Sequence, residues 1–272
     1  MNLVDLHCYR LAIGRVYRHM ALDPEGAAQP PTVWRSASNY IVYQLETDTG
    51  LKGIGKISDF RDNIGQLDPS RLRQLLLEAL KGIDLRHRRR AWEAVRQALP
   101  PMPAEFRQLL AASRARGLEN PETVGADAAA ALARVRRALP VPLIEHVGDF
   151  SDEFALALVK HRAVDVFNVI PVQTGSLHRA QRLLHLAAQA GIQAMLGSTV
   201  ELGPGLAASL HLALAAAAVS VPSSLVSPGF LVDDVVEPQF ECRNGTLSVP
   251  QAPGLGIRLA AEKLQKYRLF SR

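Results

Sequence analysis

A handful of side chains in the second half of the chain stand where short apolar runs end. They are Glu119 in GLENP, the neighbours Glu145 and His146, Asn168, and Glu201 in GSTVELGPG. Carboxylates brought together from such positions would bind a hard divalent cation such as magnesium through oxygen. The competing reading is that each charge simply ends a strand in solvent, and that His146 is a loop histidine. Gly203 and Gly205, just before the apolar run from Leu206, offer a different chemistry, an anion site at a helix N-terminus. No complete phosphate-loop or dinucleotide fingerprint accompanies them.

The elements that must position these groups follow from periodicity. From Gly117 onward, short runs rich in β-branched residues alternate with amphipathic stretches. Helices are expected over Ala126–Leu139, Ser151–His161, Ser176–Ala190 and Pro204–Val219. Strands are expected over Val141–Glu145, Val164–Ile170, Ile192–Leu196 and Ser223–Val226. Such alternation predicts parallel βα units with right-handed crossovers, in which functional side chains gather at the C-terminal strand ends. The first part reads differently. Asn39–Thr47, the turn Asp48-Thr49-Gly50 and Leu51–Ile57 form a hairpin pattern. Asp68-Pro69 then marks a capped helix start, and further helical patterns cover Leu85–Leu99 and Ala104–Arg116.

Length limits the architecture. A closed eight-unit barrel takes roughly 200 residues, and Gly117 to Val226 supplies about half of that, enough for about four or five units. The expected outcome is an open set of βα units, or a barrel shared between chains.

Several segments resemble, in order, the mandelate racemase and muconate lactonizing branch of the enolase superfamily. TDTGLKGIGK is similar to the capping-domain hairpin, whose pattern ends in glutamate. LENP resembles the end of the fourth barrel strand, and Val164–Pro171 with Gly175 resembles the sixth. GSTVE resembles the seventh strand of the cycloisomerases, and PGLGI with Tyr267 the closing segment. The resemblance implies an α/β plus α+β chain: a capping domain with a small antiparallel sheet and helices (1–116), an incomplete (β/α) barrel (117–250), and a tail returning to the cap (251–272). It also implies an isomerase or lyase (racemase, cycloisomerase or dehydratase) that abstracts the proton α to a carboxylate of a small acid, assisted by Mg2+.

Carried over residue by residue, the resemblance makes Glu119 a metal ligand and places another at Glu145 or His146. The strand end favours Glu145; the spacing to Ser151 favours His146. Glu201 matches the glutamate that assists the intermediate. The stretch that would hold the first three barrel strands, with a lysine-x-lysine base and the first carboxylate ligand, has no counterpart between Arg116 and Gly117, and the base lysine of the sixth strand is Ile170. General bases are worth about 10²–10⁴ each, so the expected turnover is below measurement. The alternative function is a catalytically dead deletion variant that binds a small acid or a protein partner. Side-chain alternation predicts that Glu145 faces the common opening while His146 turns outward. Ile170 is expected there as an apolar plug, with no lysine near the rim, since Lys160 precedes its strand and Lys263 and Lys266 lie in the tail.

Composition narrows the partners. Hydrophobic residues make up 48% and charged residues 21%, as in ordinary globular chains with a buried core. Cys8 and Cys242 are far apart and read as free thiols of a reducing compartment, and the first residues lack a signal-peptide pattern, so a cytoplasmic protein is expected. Leu206–Val221 is interrupted by Ser209, His211 and Ser220 and is read as a buried helix, with no membrane partner. The net charge of +5 is concentrated at Arg86–Arg90 without aromatic interleaving. A solvated helix face, with no nucleic acid as partner, is the expectation there. Uncovered strand edges predict a homo-oligomer.

Overall fold

The structure is a computed structural model that describes residues 1–19, 32–57, 68–98, 121–148 and 152–269. The expected hairpin is present as β2 (Thr32–Thr47) and β3 (Lys52–Ile57), paired antiparallel from Glu46↔Lys52 to Ile41↔Ile57. A strand that periodicity did not single out, β1 (Leu3–His19), pairs with β2 along nearly its whole length. On this strand Leu11 and Ile13 are buried on one face and Leu6 on the other. Leu11, Ile13, Tyr40 and Val42 pack with Leu202, Val235 and Leu264. On β1, helix α1 (Pro69–Leu80) lies with Leu72 buried, and Arg73 donates to Leu6 O and Asp5. Asp68 caps α1 as expected, accepting from the amides of Ser70 and Arg71.

Helix α2 spans Arg88–Ala98, three residues shorter at its start than the pattern suggested. Leu85 is held instead by its amide on Met1 O (2.9 Å), and Asp84 takes up the Arg86 amide and guanidinium. The expected helix over 104–116 lies outside the described residues. Helix α3 (Pro121–Ala138) begins five residues earlier than expected, with proline at its first position, where the missing N–H costs nothing.

The βα units follow. Strands β4 (Ile144–His146), β5 (Val166–Val169) and β6 (Gln193–Leu196) form a parallel sheet in that order. Helices α4 (Asp152–Lys160), α5 (Leu177–Ala190) and α6 (Gly203–Ala215) alternate with them. Phe167, Val169, Ala194 and Leu196 from the strands meet Ala129, Phe154, Leu158, Leu184 and Leu212 from the helices in one core. Ser223–Val226 is not a strand, contrary to expectation. Beside β6, Ala194 exchanges bonds with Ala218 O and Ser220 N, as a parallel ladder requires. The next donor in register would be residue 222, which is proline and has no N–H. The chain slips there: the Ser223 hydroxyl accepts from the Leu196 amide and the Ser224 amide donates to Leu196 O.

Short elements close the chain: α7 (Ser227–Phe230), β7 (Val236–Glu237), β8 (Cys242–Arg243), β9 (Thr246–Leu247), β10 (Arg258–Leu259) and α8 (Ala261–Tyr267). Leu269 N donates to Arg10 O, joining the tail to β1. No helix among the described residues is long and apolar enough to cross a membrane.

Candidate functional site

The register of the parallel sheet decides which residues share a face. Glu145 pairs with Phe167 and Phe167 with Ala194. Phe167 and Ala194 are fully buried against the helices, so Glu145 stands on the helix side. Its carboxyl is raised above the usual range by burial. His146 pairs with Asn168 and Asn168 with Met195, which places these on the opposite, open face. His146 Nε2 and Asn168 Nδ2 are 3.0 Å apart. The expectation that Glu145 would face the opening and His146 turn outward is therefore reversed. The strand ends one residue later than the apolar run implied, and one step in a strand exchanges the faces. Glu119 lies outside the described residues.

Ile170 continues the open-face series and is buried, as an apolar plug should be. It packs over Gly197, where a β-carbon would come within 2.6 Å of Asn168 Oδ1 and 2.7 Å of Ile170 Cγ1. Asn168 Oδ1 is buried with no hydrogen-bond partner.

Glu201 lies in the loop after β6 and is almost completely buried. Its own loop binds it: the Thr199 amide (2.7 Å), the Thr199 hydroxyl (2.8 Å) and the Ser198 hydroxyl all donate to its carboxylate. The turn that allows this forces Val200 to φ 64°, a strained conformation for a β-branched residue. The N-terminal sheet holds the turn in place. Tyr40 donates its hydroxyl to Val200 O (2.9 Å), and Arg15 donates to the Tyr40 oxygen and to Thr199 O.

A lysine does approach this loop, against expectation. Lys56, at the end of the hairpin strand β3, sits beside Glu201 where Gly205 leaves room; a β-carbon at Gly205 would be 2.6 Å from Lys56 Cε and 2.9 Å from Glu201 Cβ. Burial pushes the Lys56 ammonium down to about 8, while the Glu201 charge acts in the other direction. The signal was in the sequence: the hairpin segment ends in Lys56 where the family pattern has glutamate. Lys52, Lys56, Glu201, Gly205 and Ser209, with Pro171–Leu177 and Pro253–Ile257 nearby, enclose a cavity of about 560 Å³. The helix N-terminus at Gly203 is not an open anion site. The Gly203 amide binds the buried Asp234 carboxyl, which burial raises to about 6.

Magnesium needs several oxygen ligands converging on one point. Among the described residues no group of three histidines, cysteines or carboxylates could hold a metal. His146 offers nitrogen, Glu145 is on the wrong face, and Glu201 is bound by its own loop. The described residues do not fit the ion.

Comparisons with known proteins agree with the fold. The structure overlays a 2-chloromuconate cycloisomerase from Rhodococcus opacus 1CP with a TM-score of 0.71 at 17% identity, covering 99% of this chain and 100% of that one. A mandelate racemase/muconate lactonizing enzyme relative from Roseovarius nubinhibens ISM, crystallised with magnesium, gives 0.66 at 17% identity, covering 97% and 98%. At that identity the likeness concerns the fold alone. Muconate cycloisomerase 1-1 of Acinetobacter lwoffii is 32% identical over 51% of this chain and 37% of that protein. The N-succinylamino acid racemase of Thermus thermophilus is 29% identical, covering 52% and 38%. The chain thus matches little more than a third of the length of these relatives. Residues 81–263 match the family described as enolase C-terminal domain-like. With the βα core, the antiparallel N-terminal sheet and the GSTVE turn all in place, the chain belongs to that family, in its mandelate racemase and muconate lactonizing branch.

Proposed function

We propose that the chain is a binder of small carboxylic acids descended from the racemases and cycloisomerases, with magnesium-assisted proton abstraction lost or reduced below measurement. The open sheet face carries this reading: Ile170 packed over Gly197, beside His146 and Asn168, occupies the place of a base and its ligands. Abstraction of a proton α to a carboxylate needs a positioned base and stabilisation of the enediolate charge. Nothing among the described residues supplies either on that face. The cavity under the hairpin offers Lys56 as the cation that would meet an acid, in a wall that also carries Ser209.

The barrel is inferred to remain unclosed within this chain. The edge of β4 away from β5 has no partner strand among the described residues, and Ile144 on the open face is 45% exposed. Open edges invite pairing with a second copy, so a homo-oligomer is the expected state in solution.

The test is α-proton exchange in deuterated water, with and without magnesium, over a panel of muconate-type acids, N-succinylamino acids and dipeptides. No exchange, together with saturable binding of one acid that weakens in Lys56→Gln, is the expected result. Magnesium-dependent exchange that disappears in Glu201→Gln refutes the loss of catalysis.

A further inference from the structure

Residues at the N-terminal ends of two helices line a second groove. Arg86 from the turn before α2 and Arg89 and Arg90 from its first turn line it, with His178, Arg179 and Arg182 from the first two turns of α5. The groove has a volume of about 1050 Å³; among the described residues His87 and Ser176 also line it, and no carboxylate does.

Among the described residues, the acidic neighbours of these arginines are fewer than the arginines themselves. Asp84 pairs with Arg86 and is shared with the N-terminal amine of Met1. Asp152 is divided between Arg179 and Arg182, and Glu93 is 3.9 Å from Arg89. Among the described residues, five guanidinium groups therefore share three carboxylates, and Arg90 has no acidic partner.

Backbone geometry adds to this. The N-terminal end of a helix carries partial positive charge and unpaired amides, and acidic side chains are the usual occupants of the first turn. Neither α2 nor α5 has an acidic residue there. Arginines stand in those turns instead, so like charges and two helix dipoles repel across one groove. A bound anion relieves both terms at once.

We propose that the groove between α2 and α5 binds an oligophosphate chain, free or as the triphosphate of a nucleotide. Planar guanidinium groups match phosphate oxygens in a two-pronged way, and several of them spaced around a cavity select a chain of phosphates over a single anion. Among the described residues the lining holds no aromatic ring on which bases could stack, which favours a phosphate chain over a nucleic-acid strand. Among the described residues, this site shares only Ser176 with the acid-binding cavity proposed under the hairpin.

Isothermal titration with sodium tripolyphosphate, ATP and sulfate at matched ionic strength tests the proposal. Tripolyphosphate should saturate at about one per chain and bind roughly tenfold or more tightly than sulfate. Equal affinity for ATP and tripolyphosphate assigns recognition to the phosphates; tighter ATP binding adds the nucleoside to the ligand. The Arg90→Gln/Arg182→Gln double variant should lose about tenfold in affinity or more, while Arg243→Gln, an exposed arginine paired with Glu241, should bind as the parent does. Protection gives a second readout that needs no variant to fold. In the parent protein, tripolyphosphate should shield Arg89, Arg90 and Arg182 from phenylglyoxal, and leave Arg243 reactive. No saturation, sulfate binding as tight as tripolyphosphate, an unaffected double variant or unshielded groove arginines would each overturn the assignment. So would tighter binding of duplex DNA than of tripolyphosphate, which would make the surface a nucleic-acid face.

Discussion

The two faces of the short parallel sheet differ more than any other two regions of the molecule. On the helix side, Phe167, Val169, Ala194 and Leu196 are completely buried and interlock with α3, α4, α5 and α6. On the other side, His146 and Ile144 are exposed, and Asn168 keeps an unpartnered oxygen. Folding depends on the first face, because that is where apolar area leaves water. Chemistry in a barrel depends on the second, because the strand ends there converge on substrate. A chain can therefore keep the family's fold while its catalytic face changes. The difference teaches that likeness of fold and competence of site are carried by opposite sides of the same three strands.

The contrast can be broken most directly on the helix side. Phe167→Ala should cost about 3–5 kcal/mol in chemical denaturation, as for other buried aromatic truncations. A loss below about 1 kcal/mol would mean that the helix face is not the main core.

The next effect is a pH dependence at the loop that joins the sheet to the tail. Asp234 is raised to about 6 by burial, so the folded protein binds its proton more tightly than the unfolded chain does. The stabilisation from that proton is complete below about pH 4 and is lost as pH rises through about 6. Asp234→Asn should remove this loss, so the stability difference between variant and parent should move in favour of the variant by about 2 kcal/mol between pH 4 and pH 6.5. Denaturation midpoints across that range check the sign; a difference that is flat, or that favours the parent, argues against a buried neutral carboxyl.

Tyr40→Phe removes the hydroxyl that ties β2 to the Val200 carbonyl. A loss of about 1 kcal/mol is expected, with the Glu201 turn loosened. Faster hydrogen exchange at the Thr199 amide, which donates to Glu201, would report that loosening directly.

On the open face the effect should be smallest. Ile144→Thr should change stability by less than about 0.5 kcal/mol, the usual range for exposed positions. If a second copy covers this face, the same substitution should shift the protein toward monomer in light scattering. A large stability loss in a strictly monomeric protein would show that the face is buried in some other way, and the contrast between the two faces would fall.

Much of the local structure was legible in the residues. The turn at Asp48–Gly50 and the Asp68 cap with Pro69 behind it each rest on neighbours a few positions apart, and both are present. The alternation of strands and helices from Val141 onward was equally readable, because period and length are local properties. β1 was not singled out: Tyr9, Leu11 and Ile13 alternate with Arg10, Ala12 and Gly14, but the small residues between them leave little contrast in polarity. The fourth position of the sheet was misread because a single missing N–H, at Pro222, moves the pairing by two residues.

The site was less legible, and for a single reason: it depends on phase and on long-range approach. The sequence by itself determined that Glu145 and His146 are adjacent, that Ile170 is apolar and that Lys56 ends the hairpin; the family resemblance implied a lysine at the first of these last two places and a glutamate at the second. Only the tertiary structure decided which of the adjacent pair faces the opening, because a strand end displaced by one residue exchanges its faces. It also decided that Lys56 lies beside Glu201, and that arginines at the N-terminal end of α2 line one groove with those of α5. Those pairs are separated by more than eighty residues in the chain, and no local rule of propensity or spacing acts over that distance. They meet because the sheet and helices bury their apolar faces against each other, and the charged ends are carried to wherever that packing puts them.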